Sequence, residues 1–313
     1  MSLYPPPERR SLEVWTSMPA DFRHADTVPS WAVANKSGLP ADSFLEGPGF
    51  DRNGNLWVTD IPYGRLFCIS PEGNWRLALQ YDGWPNGMKF HRDGYAVITD
   101  YRHGLMRFNP ETSTITPLLI DKASEGFKGV NDLFFDRDGL IWFTDQGQTG
   151  QHDPSGRVYR YDPASGSLDC LINTCPSPNG LVMSADEKSL FVAMTRGNAI
   201  WRLPILHNGN TSKVGIFTHL AGGVSGADGL AMDEQDNLYV CDAGNGCVWV
   251  FSRWGEPLFV YRSPTGGRTT TNIAFGGPDR QTMFVTESDT GNILCARAVT
   301  PGQRLYSHRE PDR

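Results

Sequence analysis

Short apolar runs separated by polar turns recur along the chain from residue 46 onward. The segment EGPGFDRNGNLWVTD (46–60) contains one apolar run, a turn rich in Asp, Asn and Gly, and a second apolar run that ends in an aspartate. Three further segments place an Asp fourteen positions after their first residue: NGMKFHRDGYAVITD (86–100), NDLFFDRDGLIWFTD (131–145) and DGLAMDEQDNLYVCD (228–242). Apolar runs of this length, bounded by Gly, Asn and Asp, predict β-hairpins.

Two looser copies, NGLVMSADEKSLFVAMT from Asn179 and NIAFGGPDRQTMFVTES from Asn272, extend the series to six. The six starts lie 40 to 49 residues apart, and a third and usually a fourth apolar run follow each hairpin. Four antiparallel strands in each repeat of about 45 residues are typical of a propeller blade. The pattern therefore predicts an all-β, six-bladed β-propeller formed by residues 1–313 as one domain. A β-sandwich with accidental similarity between segments is the alternative.

The two ends of the chain predict how the ring of blades closes. Blade six has three clear strands, and the tail GQRLYSHREPDR is too polar for a fourth, whereas the early run SLEVWTSM alternates like a strand. We expect this N-terminal segment to supply the outer strand of blade six, which removes an open seam. Residues 19–45 then travel from the outer edge to the channel. They form either a lid over the channel, which includes Trp31, or a loop on the outer rim.

In a propeller the first strand of each blade lines the central channel, so the six starting residues converge at one mouth. We call them the ring residues: Glu46, Asn86, Asn131, Asn179, Asp228 and Asn272. The ring offers carboxylate and amide oxygens and no His or Cys, which favours a hard cation. It predicts one divalent metal, with Ca²⁺ ahead of Mg²⁺, Mn²⁺ or Zn²⁺. The alternative is a hydrogen-bonded plug of these side chains and water without metal.

The second strands end at this same mouth. Their last residues are aspartates in four copies: Asp60, Asp100, Asp145 and Asp242. Aspartates at such positions accept backbone N–H bonds in Asx-turns, and we expect that role here.

Composition narrows the choice of partner. The net charge of −7 leaves no basic surplus for phosphates, which argues against a nucleic-acid partner. No apolar run approaches ~18 residues, and MSLYPPPERRS lacks a basic segment followed by an apolar one, so we expect neither a membrane span nor a signal peptide. None of the six cysteines belongs to a CxxC pair, and we interpret them as reduced thiols of a cytoplasmic protein. The oligomeric state is left open.

The motifs EGP (46–48), ND (131–132), NG (179–180) and DG (228–229) resemble the SMP-30/gluconolactonase family of regucalcin-like six-bladed propellers. They are also similar to calcium-dependent phosphotriesterases of the diisopropylfluorophosphatase type. The resemblance extends from about residue 44 to 300. It implies one catalytic divalent metal, with Asn86 and Asn272 near the metal or the substrate, and metal ligands from four ring residues: Glu46, Asn131, Asn179 and Asp228.

The resemblance implies hydrolysis of a lactone. The metal would polarise the carbonyl, and Asp228 would activate water as a general base or attack as a nucleophile. Asp132 is a rival base, or a strand residue that bonds only to backbone. A metal-dependent esterase or organophosphate hydrolase would use the same ring, and a non-enzymatic binding propeller is a further alternative.

The substrate side of the site is predicted from the ring and from the mouth loops. The long segment before Glu46 and the long loop after Asp145 depart from the family pattern, so the identity of the substrate does not carry over. His152 lies in that long loop and is a further candidate for substrate contact. The substrate-binding residues that we predict are Asn86, Arg102, His103, Asp132, Gln146, Arg196, Asn272 and Trp31.

Overall fold

The chain forms six blades around a central channel, which confirms the fold that the repeat predicts. The computed structural model describes residues 4–220, 222–224 and 226–309, so both ends of the predicted domain extend beyond the described part. Each blade is a four-stranded antiparallel sheet, and the first strands of successive blades contact one another around the axis.

The elements follow the repeat closely. Two short strands and one helical turn precede the blades: β1 (Glu8–Ser11), β2 (Glu13–Ser17) and α1 (Ser30–Asn35). Blades one and two contain β3 (Leu45–Phe50), β4 (Leu56–Asp60), β5 (Arg65–Ile69), β6 (Trp75–Gln80), β7 (Pro85–Phe90), β8 (Ala96–Asp100), β9 (Gly104–Asn109) and β10 (Thr114–Leu119). A small hairpin follows, formed by β11 (Asp121–Lys122) and β12 (Glu125–Gly126).

The remaining blades complete the ring. Blades three and four contain β13 (Val130–Phe135), β14 (Ile141–Asp145), β15 (Gly156–Tyr161), β16 (Leu168–Cys175), β17 (Pro178–Met183), β18 (Ser189–Met194), β19 (Ala199–Pro204) and β20 (Gly215–His219). Blades five and six contain β21 (Gly226–Met232), β22 (Leu238–Ala243), β23 (Cys247–Phe251), β24 (Pro257–Arg262), β25 (Thr270–Gly276), β26 (Thr282–Glu287) and β27 (Asn292–Arg297).

Aspartates close the turns between the first and second strands of the blades. In blade one, Asp51 Oδ1 accepts the backbone N–H groups of Asn53 and Asn55 at 2.8 and 2.9 Å, and its Oδ2 accepts Trp57 Nε1 at 2.9 Å. Asp136 makes the equivalent bonds in blade three. The indole ring held in blade one then packs against two phenylalanine rings of blade two. One turn aspartate therefore fixes both a hairpin and a contact between blades.

The N-terminal segment closes the ring of blades. Strand β2 pairs antiparallel with β27 and is the outer strand of blade six, as predicted. Strand β1 also pairs, in parallel, with β24 of blade five, which the sequence did not lead us to expect because its residues, ERRS, are polar. Between the two strands, Leu12 is only 1 % exposed and packs into the core shared by blades five and six. The segment therefore joins two blades.

The C-terminal segment closes the other mouth of the channel. The Gln303 N–H donates to the Met232 carbonyl at 2.9 Å, and the Tyr306 ring stacks on Phe135 with centroids 5.5 Å apart. A small cavity of about 60 Å³, lined mainly by apolar ends of the inner strands, lies beneath it. Residues 303–309 are thus not a strand, as the polarity of the tail predicts, but they pack across the axis.

Cysteine pairing and helix length can both be compared with the sequence in the described ranges. All six cysteines are free, so the fold is not cross-linked by disulfides. No helix that the structure describes is long and apolar enough to cross a membrane.

The closure by the N-terminal segment makes a prediction about stability. Leu12→Ala should lower the free energy of unfolding by about 2–4 kcal/mol, because it opens a cavity in the core between blades five and six. Val14→Ala is the matched control, since Val14 lies in the same segment but is 46 % exposed, and its effect should stay within about 0.5 kcal/mol. Urea unfolding measures both. Equal effects of the two substitutions would show that the segment does not seal the ring.

Candidate active site

The six ring residues lie at the starts of the six inner strands, and all of them are buried. Their exposed fractions run from 1 % for Asn272 to 8 % for Asp228. In every blade, the pairing between the first and second strands is irregular at this point, as between Glu46 and Gly49 in blade one. Such irregularities redirect a side chain and are common next to active sites. Here they coincide with the residues that line the mouth.

The glycines that follow four of the ring residues allow neighbouring inner strands to approach closely. A Cβ atom on Gly87 would lie 2.4 Å from Asp132 Oδ1, and one on Gly180 would lie 2.5 Å from the carbonyl oxygen of Asp228. A Cβ atom on Gly229 would lie 2.3 Å from the side chain of Asn272. Asn-Gly and Asp-Gly are ordinary turn pairs in sequence, but here they lie inside strands, where only glycine fits.

Four ring residues each keep one buried oxygen, Oδ1, without a hydrogen-bond partner: Asn86, Asn131, Asn179 and Asp228. The amide nitrogens of Asn131 and Asn179 are occupied, since they donate to Gln146 Oε1 at 2.8 Å and Thr195 Oγ1 at 3.2 Å. Buried acceptors without a partner are rare and costly, whereas amide and carboxylate oxygens are the ligands that Ca²⁺ prefers. The residues present therefore fit a hard divalent cation.

Such a cation would need the asparagine oxygens. The described ranges hold no group of three or more His, Cys, Asp and Glu residues placed to bind a metal. The ring supplies two carboxylates, those of Glu46 and Asp228, and its other side-chain oxygens are amides. Carbonyl oxygens of asparagine complete many Ca²⁺ sites in this way.

Two buried acids of the ring, Glu46 and Asp228, have raised pKa values. The pKa of Glu46 is raised to about 7, mainly by burial and then by the charge of Asp132, against hydrogen bonds from Gly47 and Asn272. Burial also raises the pKa of Asp228, and the charges of Glu46 and Asp132 act in the same direction. A bound divalent cation would offset this repulsion.

Asn272, which belongs to the ring, and the neighbouring Asp132 hold other side chains in place and have their polar atoms engaged. Asn272 Nδ2 donates to Glu46 Oε2 at 2.8 Å and to Asp132 Oδ2 at 3.1 Å, so a side chain of blade six reaches blade three across the channel. Asp132 Oδ1 accepts the Leu133 N–H at 2.8 Å and lies 3.9 Å from Lys89 Nζ. Asp132 thus points into the channel and bonds both to backbone and to side chains.

One mouth cavity brings two predicted substrate residues, Gln146 and Arg196, close to the ring. Its volume is about 510 Å³, and Gln146 connects it to Asn131 through their hydrogen bond. The sequence did not single out Asn35, Gln148 or Ser177, which are polar residues in loops or at a helix end and carry no motif. The cavity is lined by Asn35, Gln146, Gly147, Gln148, Thr149, Gly150, Gln151, His152, Ser177 and Arg196.

Arg102 and His103 do not line this cavity. Both lie in the loop after β8, where the Arg102 guanidinium pairs with Asp82 and the His103 ring contacts the Asp82 carbonyl oxygen at 2.6 Å. Their side chains are thus engaged with the loop that leads into blade two.

Residues 19–45 lie on the mouth face and reach the cavity through α1. Trp31 is 6 % exposed and packs against Phe44, with ring centroids 4.7 Å apart, and beside Ile61 of the blade-one mouth loop. The Trp31 side chain does not line the cavity. At the end of the same helix, Asn35 Oδ1 accepts a bond from Gln148 Nε2 at 3.3 Å. The segment therefore spans the face from blade six to the mouth loop of blade three.

The aspartates that end the second strands are structural, but most do not form the expected Asx-turns. Asp100 does, since its Oδ1 accepts the N–H groups of Arg102 and His103 at 2.8 and 3.0 Å. Asp60 and Asp145 instead accept the backbone N–H just before their own first strand and pair with an arginine at the start of the third strand. Asp242 accepts bonds from the side chains of Asn245 and Trp249. These bonds tie neighbouring strands together, which local sequence does not show.

Comparison with known proteins identifies a relative of this chain. The chain is similar to lactonase drp35 of Staphylococcus aureus (strain MRSA252), with 30 % identity over 242 residues that cover 74 % of this chain and 72 % of the relative.

Two solved structures share the fold. Regucalcin from Agrobacterium tumefaciens, described as a calcium-binding protein, superposes with a TM-score of 0.73 at 20 % identity and covers 95 % of this chain and 99 % of its own. A gluconolactonase from Xanthomonas campestris gives 0.71 at 22 % identity, with 96 % and 99 % covered.

The family assignment rests on the sequence match. Residues 44–289, which include all six ring residues, match the family described as the SMP-30/Gluconolactonase/LRE-like region. The resemblance carried by the EGP, ND, NG and DG motifs is thereby confirmed, and the protein belongs to the SMP-30/gluconolactonase/LRE-like family.

Proposed function

We propose that the protein is a metal-dependent lactonase that opens a small, sugar-type lactone. The observation that carries the proposal is the set of buried oxygens without partners on Asn86, Asn131, Asn179 and Asp228. The names of similar proteins support it: one is a lactonase, one a gluconolactonase and one a calcium-binding protein.

Glu46, Asn131, Asn179 and Asp228 would hold the ion, and Ca²⁺ is the first candidate because all four offer oxygen. When bound, the ion would polarise the lactone carbonyl and stabilise negative charge on its oxygen. The surrounding residues orient these ligands. Gln146 and Thr195 hold the two amides, and Asn272 holds the Glu46 carboxylate.

Asp228 moves the proton in this proposal. Its carboxylate is buried at the mouth beside the other proposed ligands, where it can accept a proton from water. It would take a proton from water as the water oxygen bonds to the lactone carbonyl carbon. The ring C–O bond then breaks, and the released oxygen takes that proton to become a hydroxyl group. Direct attack by Asp228 on the carbonyl carbon is the alternative. Asp132 is less suited, because its oxygens already accept bonds from Leu133 and Asn272.

The mouth cavity supports a hydroxylated substrate. Its side chains are mainly amides and hydroxyls, such as those of Gln146, Gln148, Thr149 and Ser177. Such groups can donate to and accept from sugar hydroxyls, and an apolar organophosphate would leave them unpaired.

The first prediction concerns the metal. Glu46→Gln and Asp228→Asn should each lower kcat/KM by about 100-fold or more and reduce the bound metal, since loss of a ligand exceeds the 10- to 100-fold cost of losing an outer contact. Metal content by mass spectrometry and lactone hydrolysis are the readouts. Glu111→Gln, which removes the same charge from an exposed hairpin, is the control. Full activity after exhaustive chelation, in protein free of metal, would refute the metal site.

The second prediction concerns the reaction. A panel of aldonolactones, simple aryl esters and organophosphates should show the highest kcat/KM for a lactone, and a chelator should abolish that activity. Proton release at constant pH measures lactone opening directly. Preference for an ester or organophosphate would select the alternative hydrolase, and inactivity toward the whole panel in metal-loaded protein would favour a binding propeller.

The third prediction concerns residues 19–45 as a lid. Trp31→Ala should raise KM about 5- to 10-fold with the metal still bound, because it loosens the helix that carries Asn35 to the cavity. Asn35→Ala should also raise KM. Val33→Ala, on the same helix and 66 % exposed, is the control and should behave like the wild type. Wild-type kinetics in the Trp31 variant would mean that the segment only covers the rim.

A further inference from the structure

Arg196 lies at the mouth without a partner, unlike one arginine in each of blades one, two and three. Arg65, Arg157 and Arg102 form ion pairs with Asp60, Asp145 and Asp82. Among the residues that the structure describes, no hydrogen bond or ion pair engages the Arg196 guanidinium, although it lines the mouth cavity. A free guanidinium in a substrate cavity is available to a ligand.

The backbone beside Arg196 is fixed to the ring. Thr195 Oγ1 accepts Asn179 Nδ2 at 3.2 Å and donates to the Ala227 carbonyl at 2.7 Å, and the Thr195 N–H donates to the Ser177 carbonyl at 2.9 Å. Arg196 therefore directly follows a residue whose side chain is hydrogen-bonded to the ring residue Asn179.

His152 lies beside Arg196 on the same wall of the cavity. A Cβ atom on Gly150 would lie 3.2 Å from His152 Nδ1 and 3.6 Å from Arg196 Cβ, so this glycine leaves room for both side chains. No Asp or Glu is among the residues that line the cavity. In a chain with a net charge of −7, an acid-free wall with an arginine and a histidine favours an anionic group.

We propose that Arg196 is a specificity-determining residue that binds a carboxylate carried by the lactone, with His152 beside it. The preferred substrate is then a lactone of a sugar diacid, which keeps one free carboxylate, and not a neutral aldonolactone. A guanidinium binds a carboxylate through two parallel N–H bonds, which gives orientation as well as affinity. This inference rests on the proposed lactonase function, because it names the substrate class of the same site.

The kinetic test compares D-glucaro-1,4-lactone, which carries a free carboxylate, with D-glucono-1,5-lactone, which carries none. The wild type should favour the anionic lactone. Arg196→Gln should lower kcat/KM for the anionic lactone by about 10- to 100-fold, chiefly by raising KM. The decrease in kcat/KM for the neutral lactone should be several times smaller. Arg196→Lys should recover only part of the loss, since it cannot bind in a bidentate way. Arg253→Gln, an equal charge change at an exposed turn of blade five, should leave the preference unchanged.

A binding measurement separates this inference from the lactonase proposal. Titration calorimetry with D-glucarate and D-gluconate should show tighter binding of the diacid to wild-type protein, and Arg196→Gln should remove that difference. If no lactone is hydrolysed but the difference is found, the lactonase proposal fails and the anion site stands. Equal binding of the two acids, or equal losses for both lactones in Arg196→Gln, would overturn the role of Arg196.

Discussion

Six strands can meet around one axis only where their backbones come close together, and the rest of this molecule depends on that crowding. Gly87, Gly180 and Gly229 satisfy it, because any side chain there would overlap the neighbouring blade. Each follows an Asn or Asp that belongs to the ring residues. Closing the fold and gathering polar oxygens at the mouth are therefore two results of one packing requirement.

The polar residues gathered in this way divide into two groups. Asn86, Asn131 and Asn179 each keep a side-chain oxygen without a partner. The amide nitrogens of Asn131 and Asn179 donate to neighbouring side chains. Asn272 is the opposite case, since its nitrogen bridges two carboxylates and its oxygen accepts the Ile273 N–H. An amide can serve either purpose, and its neighbours decide which. The ring thus contains both the atoms suited to hold an ion and those that keep a ligand in place.

Local periodicity predicted the blades and the ring, because both repeat about every 45 residues. What it could not predict depends on pairing between distant segments. The polar strand β1 is held by its pairing with β24. The C-terminal segment packs through Tyr306 against aromatic rings of blades two and three. Likewise, Arg102 and Arg196 look alike in sequence. Only the position of Asp82 shows that the first is engaged by an ion pair.

The pairing of β2 with β27 has a consequence for how the protein is made. Glu13 pairs with Cys295, so β2 finds its partner strand only when the last blade has been translated. Contacts between such distant positions are slow to form, and an unpaired strand edge invites association with other chains. Until then, blade five is the earlier partner available to the segment, through β1 and β24. The parallel strand would then shield the N-terminal segment from aggregation while blade six is still being synthesised.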